Sequence, residues 1–269
     1  MHGLGNDFIL LDGVTHKFSL NEKQISQLAH RKFGIGCDQL LIAEQSDAEN
    51  VDFRYRIFNS DGSEAEQCGN GARCFAQFVR RQGLTDKDCM QVETLAGVFT
   101  LTIRDSSNVT VEMGEPIFDE ALIPFVSQSN DERHYLQFED QQIEFFVVSM
   151  GNPHAVIFVD DVEHAQVKEI GGLLETDPRF PRRTNVQFVQ ILNRGNIRQR
   201  IFERGVGETL ASGSGACAAV AVVQKQNQAD ETVRVHMPGG ELEIHNHNNN
   251  SCLFMTGPTE YSFEGRVEV

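Results

Sequence analysis

At 269 residues, 40% hydrophobic and 23% charged, the chain has ordinary globular composition and length for one large domain or two moderate ones. Its 39 acidic against 23 basic residues give a formal charge of −16, which argues against nucleic acid or anionic membranes as partners. The opening residues Met1 to Asn6 lack a basic or apolar leader, and the longest apolar run, Ala216 to Val223, is too short to span a bilayer, so a cytoplasmic protein is expected.

In chain order, Ser19 to His30 reads as a helix with Ser19 as N-cap and Glu22 closing a capping box. Arg54 to Phe58 alternates as a strand, and a turn-rich stretch leads to a Gly-rich tip opening a helix over Ala72 to Gln82, stopped by Gly83. Val92–Thr94, Val98–Ile103 and Val109–Met113 alternate as strands. Then Ile197 to Phe202 reads as a strand, a second Gly-rich tip opens a helix over Ala216 to Gln226, and strands follow at Val233–His236, Glu241–Ile244 and Leu253–Met255.

The second series repeats the first. Arg56-Ile57-Phe58 precedes Cys68-Gly69-Asn70-Gly71-Ala72 at the interval at which Arg200-Ile201-Phe202 precedes Ser212-Gly213-Ser214-Gly215-Ala216. Glu64 and Glu208 fall in step, and Gly5-Asn6-Asp7-Phe8 matches Gly151-Asn152-Pro153-His154. Agreement in order over a hundred residues indicates two homologous α+β halves. The expected fold class is therefore α+β. Each half would be a mixed or antiparallel sheet around a central helix, the two related by a pseudo-twofold with the active site in the cleft between them. The halves are placed at 1–115 with the tail 259–269, and at 116–258.

Six cysteines without a C-x-x-C pair point to reduced thiols rather than a disulfide scaffold or a zinc ribbon. A cysteine just ahead of a helix feels the positive end of the macrodipole, which favours thiolate. Glycines beside it let a ligand reach open N–H groups, which would hold a carboxylate and the charge spreading onto it after loss of the α-proton. Alone, Cys68 reads equally as a buried cysteine at a tight turn. Two related tips, however, suit inversion at an α-carbon, which needs an acid/base group on each face.

Four segments then carry a specific resemblance: His2 to Phe8, Cys68 to Cys74, Gly151 to His154 and Glu203 to Thr209. In sequence and order they resemble the diaminopimelate epimerase family. The resemblance implies a cofactor-independent enzyme, using no PLP and no metal, that interconverts LL- and meso-diaminopimelate on the route to lysine and peptidoglycan. It also implies a homodimer. Position by position, Cys68 and Ser212 would stand at the two acid/base positions. Gly69, Asn70, Gly213 and Ser214 would offer backbone donors. Asn6, Gln39, Asn59, Asn152, Asn185, Glu203 and Arg204 would hold the substrate, and His154 and Glu203 would support the reacting centre.

Two departures stand out. The family's second tip begins with cysteine where this chain has Ser212, and Cys217 is no substitute because it lies within the helix, at the place of Arg73. A serine hydroxyl is a poor proton carrier at neutral pH, so weakened turnover with an intact pocket is expected. Family members also usually begin with a short strand before His-Gly-Leu-Gly, where this chain has Met1 alone. One-base isomerisation or dehydration on the same fold, and an amino-acid-binding protein without turnover, are the alternatives. His245, His247 and Cys252 sit at an Asn-rich hairpin tip, where no metal site is expected.

Overall fold

The computed structural model describes residues 1–66, 68–127, 131–246 and 252–268; His247 of the hairpin-tip trio lies outside them. It divides into two compact units, Met1–Glu112 with Thr256–Val269, and Met113–Met255.

In the first unit the elements are β1 (His2–Gly3), β2 (Asn6–Asp12), α1 (Glu22–Ala29), β3 (Gln39–Glu44), β4 (Phe53–Asn59), β5 (Glu64–Ala65), α2 (Gly69–Arg81), β6 (Cys89–Thr94), β7 (Gly97–Ile103) and β8 (Asn108–Gly114), whose last two residues lie beyond the unit. In the second they are β9 (His134–Phe138), β10 (Gln141–Ser149), β11 (Pro153–Phe158), α3 (Val167–Glu175), β12 (Asn185–Asn193), β13 (Asn196–Glu203), β14 (Gly207–Thr209), α4 (Gly213–Lys225), β15 (Thr232–Met237), β16 (Gly240–Asn246) and β17 (Leu253–Pro258), whose last three residues belong to the first unit.

The pairing pattern repeats. In the first unit β2–β3 is parallel, β3–β4 and β4–β5 antiparallel, β4–β6 parallel and β6–β7 antiparallel. In the second, β11–β12 is parallel, β12–β13 and β13–β14 antiparallel, β13–β15 parallel and β15–β16 antiparallel. Duplication is thus written in topology as well as in sequence.

Local chemistry explains the layers. The run Leu40-Leu41-Ile42-Ala43 is buried on both faces of β3, as suits a strand covered by helices on each side. Ile25 and Leu28 of α1 pack with Leu40, Ile42 and Phe58, while Leu41 reaches toward Gly71 of α2. In the second unit Ile170 and Leu174 of α3 pack with Ile157, Val186 and Phe188. Each such side chain contributes roughly 1.5–3 kcal/mol on burial.

Three boundaries differ from the sequence reading. Helix α1 starts at Glu22, with Asn21 rather than Ser19 as N-cap and Gln24 rather than Glu22 closing the capping box. Both reciprocal bonds are made at Asn21, so two orphan N–H groups there are satisfied. Helices α2 and α4 start three residues earlier than Ala72 and Ala216, because the glycines form the first turn instead of preceding it. A side chain at Gly71 is excluded: a Cβ there would stand 2.2 Å from the buried Tyr55 hydroxyl. Gly83, at φ +68°, ends the first of these helices. The tail beyond Pro258 runs back along the first unit, where Glu260 bridges to His2 and the Arg81 guanidinium lies over the Tyr261 ring.

The floor beneath the two tips differs in chemistry. Under Gly71 lie Phe8, Leu41 and Tyr55; under Gly215 lie Ile201 and the amides of Gln187 and Gln199. Gln199 is 1% exposed and neither side-chain amide atom has a partner among the described residues. A buried amide left unpaired costs about 1–3 kcal/mol. Gln199→Leu is therefore expected to raise stability by about 1–2 kcal/mol, read as a higher urea midpoint at unchanged slope.

Candidate active site

Each tip is built the same way. Cys68 caps α2 in extended backbone, φ −149° and ψ 113°, and its sulfur accepts from the Gly71 N–H at 3.4 Å. Ser212 caps α4 at φ −137° and ψ 124°, and its hydroxyl oxygen accepts from the Gly215 N–H at 3.3 Å. Ala72 and Ala216 N–H groups bond to the Cys68 and Ser212 carbonyls at 2.8 and 3.0 Å. The N–H groups of Gly69, Asn70, Gly213 and Ser214 have no acceptor within their helices, as first-turn donors do not. They sit at the positive ends of the two helix dipoles and suit an anion.

In the first unit, Asn6 opens β2 and brings its carbonyl oxygen 3.7 Å from the Cys68 sulfur and 3.4 Å from the Asn70 amide nitrogen. Gln39 and Asn59 face each other across β3 and β4 and are bonded at 3.0 Å. Asn6 is also tied to Asp38 at 2.9 Å. Burial opposes charge on Asp7, but Arg31 and the Asp38 backbone hold its carboxyl below the usual carboxylate range.

In the second unit, the Gln187 amide nitrogen donates to Nδ1 of His154 at 2.8 Å. That nitrogen must carry a lone pair, so the neutral ring holds its proton on Nε2 and donates it to Asn152 Oδ1 at 2.8 Å. Asn152 then donates to the Ser214 hydroxyl at 3.5 Å. Complete burial, with the Arg204 charge nearby, pushes the His154 pKa down to about 3. Asn185, register partner of His154, donates to the Pro153 carbonyl at 3.2 Å and accepts from the Arg204 N–H at 3.0 Å. Glu203 accepts from the Thr209 hydroxyl. The Arg204 guanidinium donates to the Arg182 carbonyl at 3.3 Å.

The structure thus draws Asn6, Cys68 and Asn70 together, pairs Gln39 with Asn59, links Asn152, His154 and Ser214, and joins Asn185 to Arg204. No bond joins the Gln39–Asn59 pair to Cys68 among those described. Four supporting groups escaped the sequence reading. Asp38 orients Asn6; Arg73, fully buried, donates to Asn70 Oδ1 at 2.9 Å; and Gln187 fixes the His154 tautomer. Glu175, 5% exposed, accepts from the Gly205 N–H at 2.8 Å and from Arg183 at 3.2 Å, which pins the turn after Arg204. Two signals were present: Gln187 lies two residues beyond Asn185 on one face of a strand, and Asp38 adjoins Gln39. The thiols of Cys37 and Cys74 are poor candidates for chemistry, since burial raises them to about 11 and about 12.

Solved structures share this arrangement of elements. The hydroxyproline epimerase of Agrobacterium vitis, with bound trans-4-hydroxy-L-proline, superposes at TM-score 0.69 with 15% identity, over 97% of this chain and 89% of that one. A phenazine biosynthesis protein of Bacillus anthracis does so at 0.67 with 16% identity, over 96% and 91%. At such identities they define the fold.

Sequence narrows this further. The profile of the family described as diaminopimelate epimerase matches residues 1–118 and 146–262. The diaminopimelate epimerase of Thioalkalivibrio sulfidiphilus (strain HL-EbGR7) is 51% identical over 271 residues, spanning all of this chain and 98% of that protein. The chain belongs to the diaminopimelate epimerase family and is an isomerase of the epimerase type.

Proposed function

We propose that the protein interconverts LL- and meso-2,6-diaminopimelate without a cofactor, by moving the proton of one α-carbon. The observation that carries this reading is the family match over nearly the whole chain, together with two equivalent helix tips that present the Cys68 thiol and the Ser212 hydroxyl at the same position beside first-turn N–H groups. Inversion needs one group on each face of the α-carbon, and the reading assigns these roles to Cys68 and Ser212. N–H groups of Gly69, Asn70, Gly213 and Ser214 bind the reacting carboxylate and stabilise the charge that spreads onto it when the proton leaves. Asn6, Gln39, Asn59, Asn152, Asn185, Glu203 and Arg204 hold the rest of the substrate. Arg204 suits the distal carboxylate, and the Glu203 carboxylate suits an ammonium. His154 acts by orienting Asn152. By the same family relation the protein is assigned to the cytoplasm as a homodimer, on the route to lysine and peptidoglycan.

Ser212 gives a second reading some weight: with one thiol, one-base chemistry at Cys68 is the simplest alternative. Loss of the α-proton signal in D2O, followed by NMR with each isomer, tests both. The parent protein is expected to exchange the α-proton of at least one isomer, and Cys68→Ala of neither. Lysine, which lacks the second carboxylate, should stay inert. Inertness toward both isomers would overturn the assignment and favour a binding protein. An eliminated product in place of exchange would favour one-base lyase chemistry.

A further inference from the structure

Asn6 and Asn152 occupy equivalent places in the two units, yet their amides point in opposite senses. Asn152 donates toward the first turn of its helix, to Ser214 Oγ at 3.5 Å. Asn6 accepts from the first turn of its own, from Asn70 Nδ2 at 3.4 Å. The cause lies at the two ends of a chain of bonds in the first unit. Arg73 Nη2 donates to Asn70 Oδ1 at 2.9 Å, Asn70 donates to Asn6 Oδ1, and Asn6 Nδ2 donates to Asp38 Oδ2 at 2.9 Å.

The two ends of an amide have nearly the same shape, and only bonding partners distinguish them. Here a guanidinium, which can only donate, stands at one end and a carboxylate, which can only accept, at the other. Both amides between them therefore have one satisfied orientation. It leaves the Asn6 carbonyl oxygen as the acceptor met by the Cys68 thiol at 3.7 Å.

We propose that Asp38 and Arg73 are positioning residues that polarise the Asn70–Asn6 pair, so that Asn6 directs the Cys68 S–H bond. The inference rests on the assignment of Cys68 as an acid/base group. Reversing Asn6 would turn its NH2 group toward the sulfur and hold it as thiolate alone, whereas an acid/base group must also carry the proton in the half of the cycle that returns it. Asp38 is itself aimed: its Oδ1 accepts from Arg31 at 2.6 Å, its Oδ2 accepts from the Asp7 N–H at 3.2 Å, and its N–H donates to Asp7 Oδ1 at 2.8 Å. In the second unit the repeat places Thr184 where Asp38 stands and Cys217 where Arg73 stands. Both polarising charges are confined to the unit whose tip carries a thiol.

The test uses Asp38→Asn, at a half-exposed position, with the shorter Asp38→Ser as a second variant. Asp7→Asn is the control, since it removes a neighbouring charge while its amide oxygen can still accept from the Asp38 N–H and its backbone N–H still donates to Asp38 Oδ2, so Asp38 stays aimed at Asn6. The readout is the infrared S–H stretching band of Cys68 in the substrate-free protein, isolated by difference against Cys68→Ala. In both Asp38 variants the band should move toward that of a more weakly bonded thiol. Their kcat should fall about tenfold, the scale of one hydrogen bond, with a smaller change in KM. Asp7→Asn should leave the band in place. A band unmoved by either Asp38 variant, or moved as far by Asp7→Asn, would overturn the proposal. Because the band is read without substrate, failure of the diaminopimelate assignment would appear separately, as inertness of a protein whose thiol still responds to Asp38.

Discussion

Replacing Ser212 by cysteine should speed inversion of diaminopimelate by about 10²- to 10⁴-fold, the usual worth of one general acid or base. The structure gives the substitution little else to do. Ser212 Oγ and Cys68 Sγ each cap a helix and accept from the N–H three residues on, at 3.3 and 3.4 Å, so a thiol at 212 takes up a place the fold already holds. The difference is in proton affinity: a thiol ionises near neutral pH and a hydroxyl does not. KM should change little, because the carboxylate-binding N–H groups are backbone. The parent and the variant should also differ in kind. With one thiol, the proton removed from Cys68's side returns to that side, so deuterium enters in D2O faster than configuration inverts. With two, exchange and inversion should run at comparable rates. Measuring both on the same NMR time course decides the matter, and equal inversion rates in parent and Ser212→Cys would show that position 212 does not limit turnover.

Much of the fold was legible because duplication leaves a long-range signal that single elements lack. The repeats Arg56 to Ala72 and Arg200 to Ala216 located strand, turn and helix twice, and each copy checked the other. What escaped was local. Serine and asparagine are both good N-caps, and the choice of Asn21 over Ser19 depends on whether Gln24 reaches back, which periodicity does not record. The glycines at 69, 71, 213 and 215 read as a loop because glycine is a poor helix former. They form the first helical turn, and two of them are glycine because close packing against Tyr55 and Ile201 leaves no room for a Cβ. At the site, residues that touch a ligand sit in recognisable motifs. Those that orient them, such as Arg73, Asp38 and Gln187, act across 3 to 33 residues of chain through bonds that only the folded backbone closes.

Lowering the pH from 6.5 to 4.5 should cost the folded protein about 2 kcal/mol through His154 alone. In the unfolded chain this imidazole protonates near its ordinary 6.5; in the folded protein burial holds it neutral until about 3. Between those values the unfolded state binds one proton more than the native state. Stability from this group is complete above pH 6.5 and falls as pH drops toward 3, at about 1.4 kcal/mol per pH unit. The upper part of that window can be read cleanly. The carboxyls held below their usual range, among them Asp7, Asp12, Asp52, Asp61, Glu64, Asp105, Asp161 and Asp177, lose their stabilising effect as pH falls from their ordinary 3.8 or 4.5 downward. Urea unfolding at pH 6.5, 5.5 and 4.5, in the parent and in His154→Gln, isolates the histidine. Glutamine does not titrate, so its own cost to stability is the same at each pH and drops out of the slope. The variant's curve should be flatter by about one proton. Parallel curves would mean that His154 takes up its proton in the native state, and the Gln187-to-Nδ1 bond that orients Asn152 would then have to be redrawn with Gln187 as acceptor.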